Sequence, residues 1–486
     1  VEAATPYTVE MVSNNTNNAY VGSYSSYEDA VKAMNSQNST STSVATIYKD
    51  GVPIDSKYAI FKFKPTANNE YYNLYSSSTG PMYTGIHTNS GSEAALLGYS
   101  TNGRVKIMIS GYVGWTEIEN GVITPISLLA VNGNTLYVPG KSNKVRVSPS
   151  TTATVIATIT SPHTFTYTEI KDDGDNIWYK ISYDGRDAWI AKGDSMTIYN
   201  NGDSSLNTYY EKNKDSGNLI HHFTYYAGTG YGNSFTNLGK APDYLTPGVK
   251  YYSFDGNYFY STLTDMLDDY RNFSYNGNVT VGDYNRSINK DNPFYAYFLY
   301  LPSHSVTGYT AEDFDNIIAS KGYTASTSKM YGTGKYFKEA EAKYGQNALT
   351  AFGTAINESA YGTSRIAMDK NNLFGYGAYD SCAYDCAKTY DSPRDSIIDY
   401  AKTSGSSYSL VTGNNYHGGH YGNKAGGRNV RWATDPYWGE KQAANSLSID
   451  NSYGGKEYNS TTIGVAKKGH VWVQVFKSPN QSDYLY

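Results

Sequence analysis

The sequence predicts a multidomain chain: an all-β N-terminal part over about the first 300 residues, then a mostly α C-terminal third. Two patterns predict this. Up to about residue 300, polar and apolar residues alternate between clusters of Gly, Asn, Asp and Ser, as strands and turns require. Beyond Thr310, apolar residues recur at helical spacing behind good capping residues. The 486 residues leave room for three or four domains of roughly 150 residues each.

In chain order, Ser26–Gln37 reads as a helix, with Ala30, Val31 and Met34 on one face and Ser26 with Asp29 as a capping box. Tyr48–Lys64 reads as a hairpin turning at Asp50-Gly51. A weak repeat follows: a strand, a Gly turn and a Trp opening the next strand, around Trp115 and again around Trp189, 74 residues apart. Both Trp residues are expected to fill small β cores. Residues 201–314 are Tyr-rich, with strands around Ser216-Gly217 and a hairpin at Val249–Tyr260 turning at Asp255-Gly256. Thr310 with Asp313 opens a helix, Tyr336–Gly345 is a second, and Asn347–Ser359 a third with Leu349, Phe352 and Ile356 along one stripe. The expected domains are a small α+β module (1–57), two β modules (58–128 and 129–200), a Tyr-rich β connecting module (201–314) and a helical domain (315–486).

Composition excludes several classes. Lys plus Arg total 39 against 44 acidic residues, a net charge of −5, so no basic field for nucleic acid or anionic membrane exists. No apolar run approaches the roughly 18 residues that span a bilayer. The 52 Tyr residues suit wet, polymer-facing surfaces and also fill small β cores. The chain starts at Val1, which reads as a processed or trimmed form. Cys382 and Cys386, the two cysteines, lack the spacing of a zinc site and fit a local disulfide if the protein is exported. No nucleotide-binding glycine pattern is present: Gly228–Gly232 lacks the Lys-Ser/Thr and the helix.

Glu358 closes the third helix, at the negative end of the macrodipole. Partial burial there raises a carboxyl pKa, as a general acid needs. Around it, Ile356–Asp380 contains Glu358-Ser359-Ala360-Tyr361-Gly362-Thr363-Ser364 and Asn371-Asn372-Leu373-Phe374-Gly375, and Asn429–Lys441 contains Trp432-Ala433-Thr434-Asp435-Pro436-Tyr437. These three motifs resemble those of glycoside hydrolase family 73, the bacterial endo-β-N-acetylglucosaminidases, over about residues 315–475. The repeat around Trp115 and Trp189 resembles bacterial Src-homology-3-like domains, and the whole layout resembles autolysins that separate daughter cells.

The resemblance implies a lysozyme-like C-terminal fold, preceded by SH3-like barrels and small β modules. It implies cleavage of peptidoglycan glycan strands after N-acetylglucosamine, with Glu358 as general acid. The second carboxylate is open: Asp380 first, then Asp385, with Asp435 a third candidate that also fits a turn before Pro436; assistance by the 2-acetamido group would need none. Tyr437 is assigned to hydrogen bonding near the reacting sugar, with core packing as the equal alternative. Tyr361, Tyr376, Tyr379, Trp432 and Trp438 are the rings available for sugars, with Asn372 as a polar contact; Phe374 reads as core. Asn414–Asn429 reads as a flexible loop beside the cleft, and its His417 and His420 as solvated rather than metal-binding. No cofactor or metal is expected. The expected partners are a glycan strand in the cleft and wall peptide at the SH3-like modules, with no nucleic acid and no membrane span, for a secreted, wall-associated monomer. The alternatives are a lytic transglycosylase or muramidase on the same polymer, or an inactive wall-binding or adhesion protein.

Overall fold

The computed structural model describes residues 5–466 apart from short stretches at 14–18, 38–42, 50–51, 57–58, 66–70, 81, 101–102, 126–134, 139–141, 161–162, 192–207, 227–229, 276–279 and 379–381. The first module is a four-stranded antiparallel sheet of β1 (Tyr7–Ser13), β2 (Ala19–Tyr24), β3 (Ser43–Lys49) and β4 (Val52–Ser56), in the order β2-β1-β3-β4. Helix α1 (Tyr27–Ser36) packs Ala30 and Met34 onto Val9, Ala45 and Ile47, and the Ser26 hydroxyl accepts the Asp29 N–H at 3.1 Å. The hairpin expected over Tyr48–Lys64 forms in its first half, with Lys49 opposite Val52. Its second half leaves for the next sheet.

That sheet has seven strands, β5 (Ala59–Phe63), β6 (Tyr72–Tyr75), β7 (Met82–Thr88), β8 (Glu93–Tyr99), β9 (Arg104–Ile109), β10 (Tyr112–Glu117) and β11 (Gly121–Pro125), in the order β11-β5-β8-β9-β10-β6-β7. The third module has six: β12 (Thr135–Val138), β13 (Asn143–Arg146), β14 (Val155–Ile159), β15 (His163–Asp172), β16 (Ile177–Tyr183) and β17 (Arg186–Ala191), in the order β12-β15-β16-β17-β13-β14. The sequence repeat is a repeated hairpin. Ser110-Gly111 (φ 44° and 81°) and Asp184-Gly185 (φ 48° and 75°) are both left-handed pairs, the turn that matches strand twist. Trp115 then pairs with Lys106 and Trp189 with Lys180. Trp115 is half-buried rather than central to a core, whereas Trp189 is buried as expected, though outside the cluster of Val145, Tyr167, Ile181 and Ile190.

The fourth sheet holds β18 (Tyr209–Lys212), β19 (Asn218–Tyr226), β20 (Tyr231–Lys240) and β21 (Lys250–Tyr251), in the order β20-β19-β18-β21. The hairpin expected at Val249–Tyr260 shrinks to the two residues of β21 and one bridge between Tyr252 and Tyr260. Residues 201–314 are not one β module. Helix α2 (Leu263–Tyr270), capped by Thr262, seats Met266, Leu267 and Tyr270 on Ile60, Leu97, Met108 and Val113 of the second module. The pair β22 (Ser274–Tyr275) and β23 (Thr280–Val281) follows. Helix α3 (Tyr297–Tyr300) packs in the cluster that holds Phe314, Phe337 and Phe352, and that cluster also takes in Tyr210, Leu219 and Leu238 of the fourth sheet.

Helices α4 (Ala311–Ser320), α5 (Gly334–Tyr344), α6 (Ala348–Ser359), α7 (Arg365–Lys370), α8 (Ala383–Cys386), α9 (Pro393–Ser407), α10 (Asn429–Trp432) and α11 (Trp438–Ser452) complete the described α-helices. The Thr310–Asp313 capping box forms as expected, and Gly345 ends α5 in the left-handed conformation. Helix α6 runs through the middle of the domain. The Asn347 side chain accepts the Thr350 N–H at 3.0 Å, satisfying one orphan donor at its start. Phe352 packs against Phe314 and Phe337, with ring centroids 4.6 and 5.3 Å away, so Phe352→Ala is expected to cost about 3–5 kcal/mol. Gly353 faces α11: a Cβ there would meet Ser446 Oγ at 3.2 Å, so glycine lets the two helices cross closely.

The segment Asn414–Asn429 is not the flexible loop expected. The Lys424 N–H bonds the Ser110 carbonyl at 2.9 Å, the Ser303 N–H bonds the Gly419 carbonyl at 2.6 Å, and the Ser110 hydroxyl bonds the Pro436 carbonyl at 2.7 Å. It therefore ties the helical domain to the β9–β10 hairpin. No helix among the described residues is long and apolar enough to cross a membrane.

Candidate active site

Glu358 lies in the last turn of α6, where the chain stops being helical because Ala360 takes the left-handed conformation (φ 50°, ψ 57°). Tyr361 (φ 60°) and Gly362 (φ 73°) continue it, so three consecutive left-handed residues turn the backbone away directly after the carboxyl. The turn is fastened from both sides. The buried Ser359 hydroxyl accepts the Gly362 N–H at 2.8 Å, and Ser328 donates to the Tyr361 carbonyl at 2.6 Å.

Burial pushes the Glu358 carboxyl above its ordinary pKa, opposed by hydrogen bonds from Trp438 and Asn357 that favour the charged form. A group so placed keeps its proton to higher pH than a solvated Glu, which is what a proton donor needs. Opposite it stands the turn after Asn371-Asn372-Leu373-Phe374. Gly375 is left-handed (φ 64°), and a Cβ built there would sit 3.8 Å from Glu358 Oε2. Glycine keeps this wall of the site low.

The Asn372 side chain shapes that turn and has nothing left for a sugar. It is 1% exposed. Its Nδ2 donates to the carbonyls of Tyr376 and Lys388, both at 2.9 Å, and its Oδ1 accepts the N–H groups of Phe374 and Tyr376. Its expected place among the substrate contacts is thereby corrected. Phe374 is buried, as expected, stacked on Tyr400 at 3.9 Å.

An aromatic wall runs on from there. Tyr400 meets the edge of Trp432 at 6.0 Å, Tyr408 meets it at 5.0 Å, and Trp432 stacks on Trp438 at 5.6 Å. The Arg428 guanidinium sits behind it, 4.8 Å from the Trp432 centroid, and donates to the Tyr400 hydroxyl at 2.7 Å. Trp438 is only 7% exposed, so it is no open platform for a sugar; its polar edge serves Glu358 instead. Trp432 is half-buried, and Tyr376 offers an open ring at 46% exposure. Tyr361 is half-buried, stacked on Tyr323 at 5.7 Å. Sequence reasoning missed Tyr400, Tyr408 and Arg428: a ring on a helix or just past its end reads as core, and an Arg in a glycine-rich segment carries no signal of its own.

Tyr437 and Asp435 each take the second of the two readings that the sequence left open. Tyr437 is 5% exposed and points into the seam with the fourth sheet, 4.4 Å from the Phe223 ring and 5.1 Å from His221, so it packs rather than meeting sugar. Asp435 holds the start of α11: it accepts the Tyr437 N–H at 2.9 Å and pairs with Lys441 at 2.5 Å. A carboxylate so engaged is a turn anchor, the second of its two readings. Asp385 is exposed on α8. Tyr379 and Asp380 lie outside the described residues. The cysteines flanking α8 are joined as a Cys382–Cys386 disulfide. The clipped loop is tied down by Lys370, whose ammonium bonds the carbonyls of Tyr384 and, at 2.9 Å, Ala387.

His420 is half-buried rather than solvated, stacked on Tyr300 at 5.3 Å, and desolvation lowers its pKa to about 4. His417 is half-buried, and its Nδ1 faces the Asn415 carbonyl at 3.2 Å. Among the described residues no group of three or more His, Cys, Asp or Glu could hold a metal ion.

Comparison with known proteins places two segments. Residues 334–450 match the glucosaminidase family model, described as mannosyl-glycoprotein endo-beta-N-acetylglucosaminidase, and residues 142–195 match the bacterial SH3 domain. The glucosaminidase resemblance and the SH3 resemblance around Trp189 are thus borne out. Two curated relatives from Streptococcus pneumoniae, strains TIGR4 and R6, are provisionally named endo-beta-N-acetylglucosaminidase. Each is 35% identical over 221 residues, covering 43% of this chain and 31% or 29% of the relative. The chain thus spans less than a third of the length of the curated relatives it matches. Among solved structures, Staphylococcus aureus autolysin E with the muropeptide NAM-L-Ala-D-iGlu is 23% identical, covering 32% of this chain and 73% of that one, with a TM-score of 0.27. A catalytic mutant of that autolysin with the disaccharide NAG-NAM is 18% identical, covering 37% and 85%, also with a TM-score of 0.27.

Proposed function

We propose that this glucosaminidase-family domain hydrolyses peptidoglycan glycan strands after N-acetylglucosamine, with Glu358 as the proton donor. The observation that carries the reading is one carboxyl, raised in pKa by burial, between the Gly375 turn and an aromatic wall, inside the segment that the family model matches. Such a site suits glycoside cleavage: flat rings accept sugar faces, and a protonated acid meets the leaving oxygen. As the bond from the sugar C1 to the bridging oxygen breaks, the Glu358 proton passes to that oxygen. Water then supplies the hydroxyl at C1, and its proton restores the acid.

The partner that stabilises C1 is Asp380 in this proposal, with Asp385 second; the substrate's own 2-acetamido oxygen would dispense with both. Tyr376 and Trp432 are the rings proposed to carry sugars. The SH3 domain is proposed to hold wall peptide, and the protein to act as a secreted, wall-associated monomer. The Cys382–Cys386 disulfide supports an oxidising compartment.

The test is digestion of purified sacculi by the parent and by Glu358→Gln. Loss of the general acid is expected to slow release of reducing N-acetylglucosamine ends by about 10²–10⁴-fold. Undiminished lysis by the variant would overturn the reading. Reducing muramic acid ends, or 1,6-anhydro ends, would move it to a muramidase or a lytic transglycosylase.

A further inference from the structure

The first turn of α11 straddles two modules. Tyr437 and Glu440 face the fourth sheet, while Trp438 between them faces the helical domain. Glu440 is almost wholly buried, and three side chains of that sheet converge on it. Its Oε2 is 2.6 Å from His221 Nδ1 on β19 and 3.0 Å from Thr236 Oγ1 on β20; its Oε1 is 3.3 Å from the Tyr210 hydroxyl on β18. His221 lies flat on Tyr210, with centroids 4.0 Å apart, and its Nε2 has no hydrogen-bond partner among the described residues. A ring nitrogen 2.6 Å from a carboxylate oxygen acts as its donor.

A buried carboxylate tolerates displacement poorly, because any lost donor leaves charge unpaired in a low-dielectric seam. The three donors therefore fix where α11 begins. Trp438 is held by the same turn, with Trp432 stacked on one side and Tyr421 edge-on at 5.7 Å, and it supplies one of the hydrogen bonds on Glu358. This anchoring has no part in proton transfer itself.

We propose that the β18–β20 sheet is part of the catalytic unit, with His221 a positioning residue that acts on Glu358 through Glu440 and Trp438. The inference rests on Glu358 as the proton donor. The groups facing the His221–Glu440 pair are Tyr210, Tyr437 and Asp255, with Glu93 beyond Tyr437 and Lys441 over Phe223. Among the described residues, Trp438, Asn357 and Gly375 face Glu358, and none of these three is charged.

The direction follows from the hydrogen bond. A bond to the charged form holds the carboxyl pKa down, so weakening it sends the pKa up. A proton donor loses activity as pH rises through its pKa, so the basic limb of the kcat profile then moves to higher pH.

The experiment uses the full chain on soluble, peptide-free glycan strands. His221→Leu is expected to lower kcat about tenfold, the worth of one hydrogen bond to a charged group, with KM within about twofold. The basic limb is expected to move up in pH. His221→Asn, which keeps a donor near Nδ1, is expected to restore both, and Trp438→Phe to reproduce the shift. His222→Asn, on the outer face of β19, is expected to behave as the parent. Should His221→Leu fail to fold, Thr236→Val removes a single donor and is expected to move the limb the same way. A parent-like basic limb in Trp438→Phe, or in folded His221→Leu or Thr236→Val, overturns the proposal. Activity retained by Glu358→Gln would instead overturn the acid assignment, so the two failures are distinguishable.

Discussion

The backbone directly after Glu358 is strained, and the strain can be measured at Ala360. Its φ of 50° and ψ of 57° lie in the left-handed region, where an L residue with a Cβ pays roughly 1–2 kcal/mol relative to the right-handed form. The side chain is exposed, so removing its methyl group opens no cavity. Ala360→Gly relieves the left-handed penalty and adds about 0.5–1 kcal/mol of unfolded-state entropy against folding. The difference is a net stabilisation of about 0.5–1 kcal/mol. For a domain of 150–250 residues that corresponds to about 1–4 °C in the Tm of the transition that reports the helical domain. Differential scanning calorimetry of parent and variant, with Glu358 and all contacts of the turn unchanged, makes the comparison. A lower Tm for Ala360→Gly would refute the reasoning, because it would show that the left-handed backbone costs less here than the entropy that glycine adds.

Three other expectations follow from neighbouring features. Gly375→Ala combines a left-handed backbone with a methyl 3.8 Å from Glu358 Oε2, so it is expected to lose about 1 kcal/mol of stability in urea titration and to lower kcat. Reducing the Cys382–Cys386 disulfide, or replacing both residues by Ser, reopens a five-residue loop and is expected to cost about 2 kcal/mol locally. Hydrogen exchange at residues 383–388 is the readout, and unchanged protection there would count against it. Lys424 is buried, and burial lowers its pKa to about 7 while its ammonium donates to the carbonyls of Asn429 and Ala433. The unfolded chain binds that proton up to about pH 10, so between pH 7 and 10 unfolding takes up a proton and this group makes stability rise with pH. Lys424→Met is expected to flatten that rise, as read from Tm at successive pH values.

What the sequence made legible was local. Thr310 with Asp313, Asn347 and Gly345 each act on a backbone group within a few residues, so their capping roles needed no knowledge of the rest of the chain. The repeated hairpin was legible for the same reason, since Ser110-Gly111 and Asp184-Gly185 set their own turn. Glu358 was legible because a helix end, an apolar stripe and a family-like motif coincide at one residue. Trp438 and Asn372 were misread, and Tyr437 was left open between two readings, because their directions are settled by partners outside the local pattern. The fourth sheet, more than 200 residues upstream, takes Tyr437 through Phe223 and so leaves its neighbour Trp438 to the acid. Nothing in the local pattern Tyr437-Trp438 says which ring meets which domain; either order would satisfy a helix start. The same holds for Glu440, an ordinary acidic residue in a first helical turn until Tyr210, His221 and Thr236 close around it. A site assembled where modules meet takes its fine adjustment from residues that carry no motif. The burial that raises Glu358 is set within the helical domain, while the position of the indole opposing that rise is set partly from outside it.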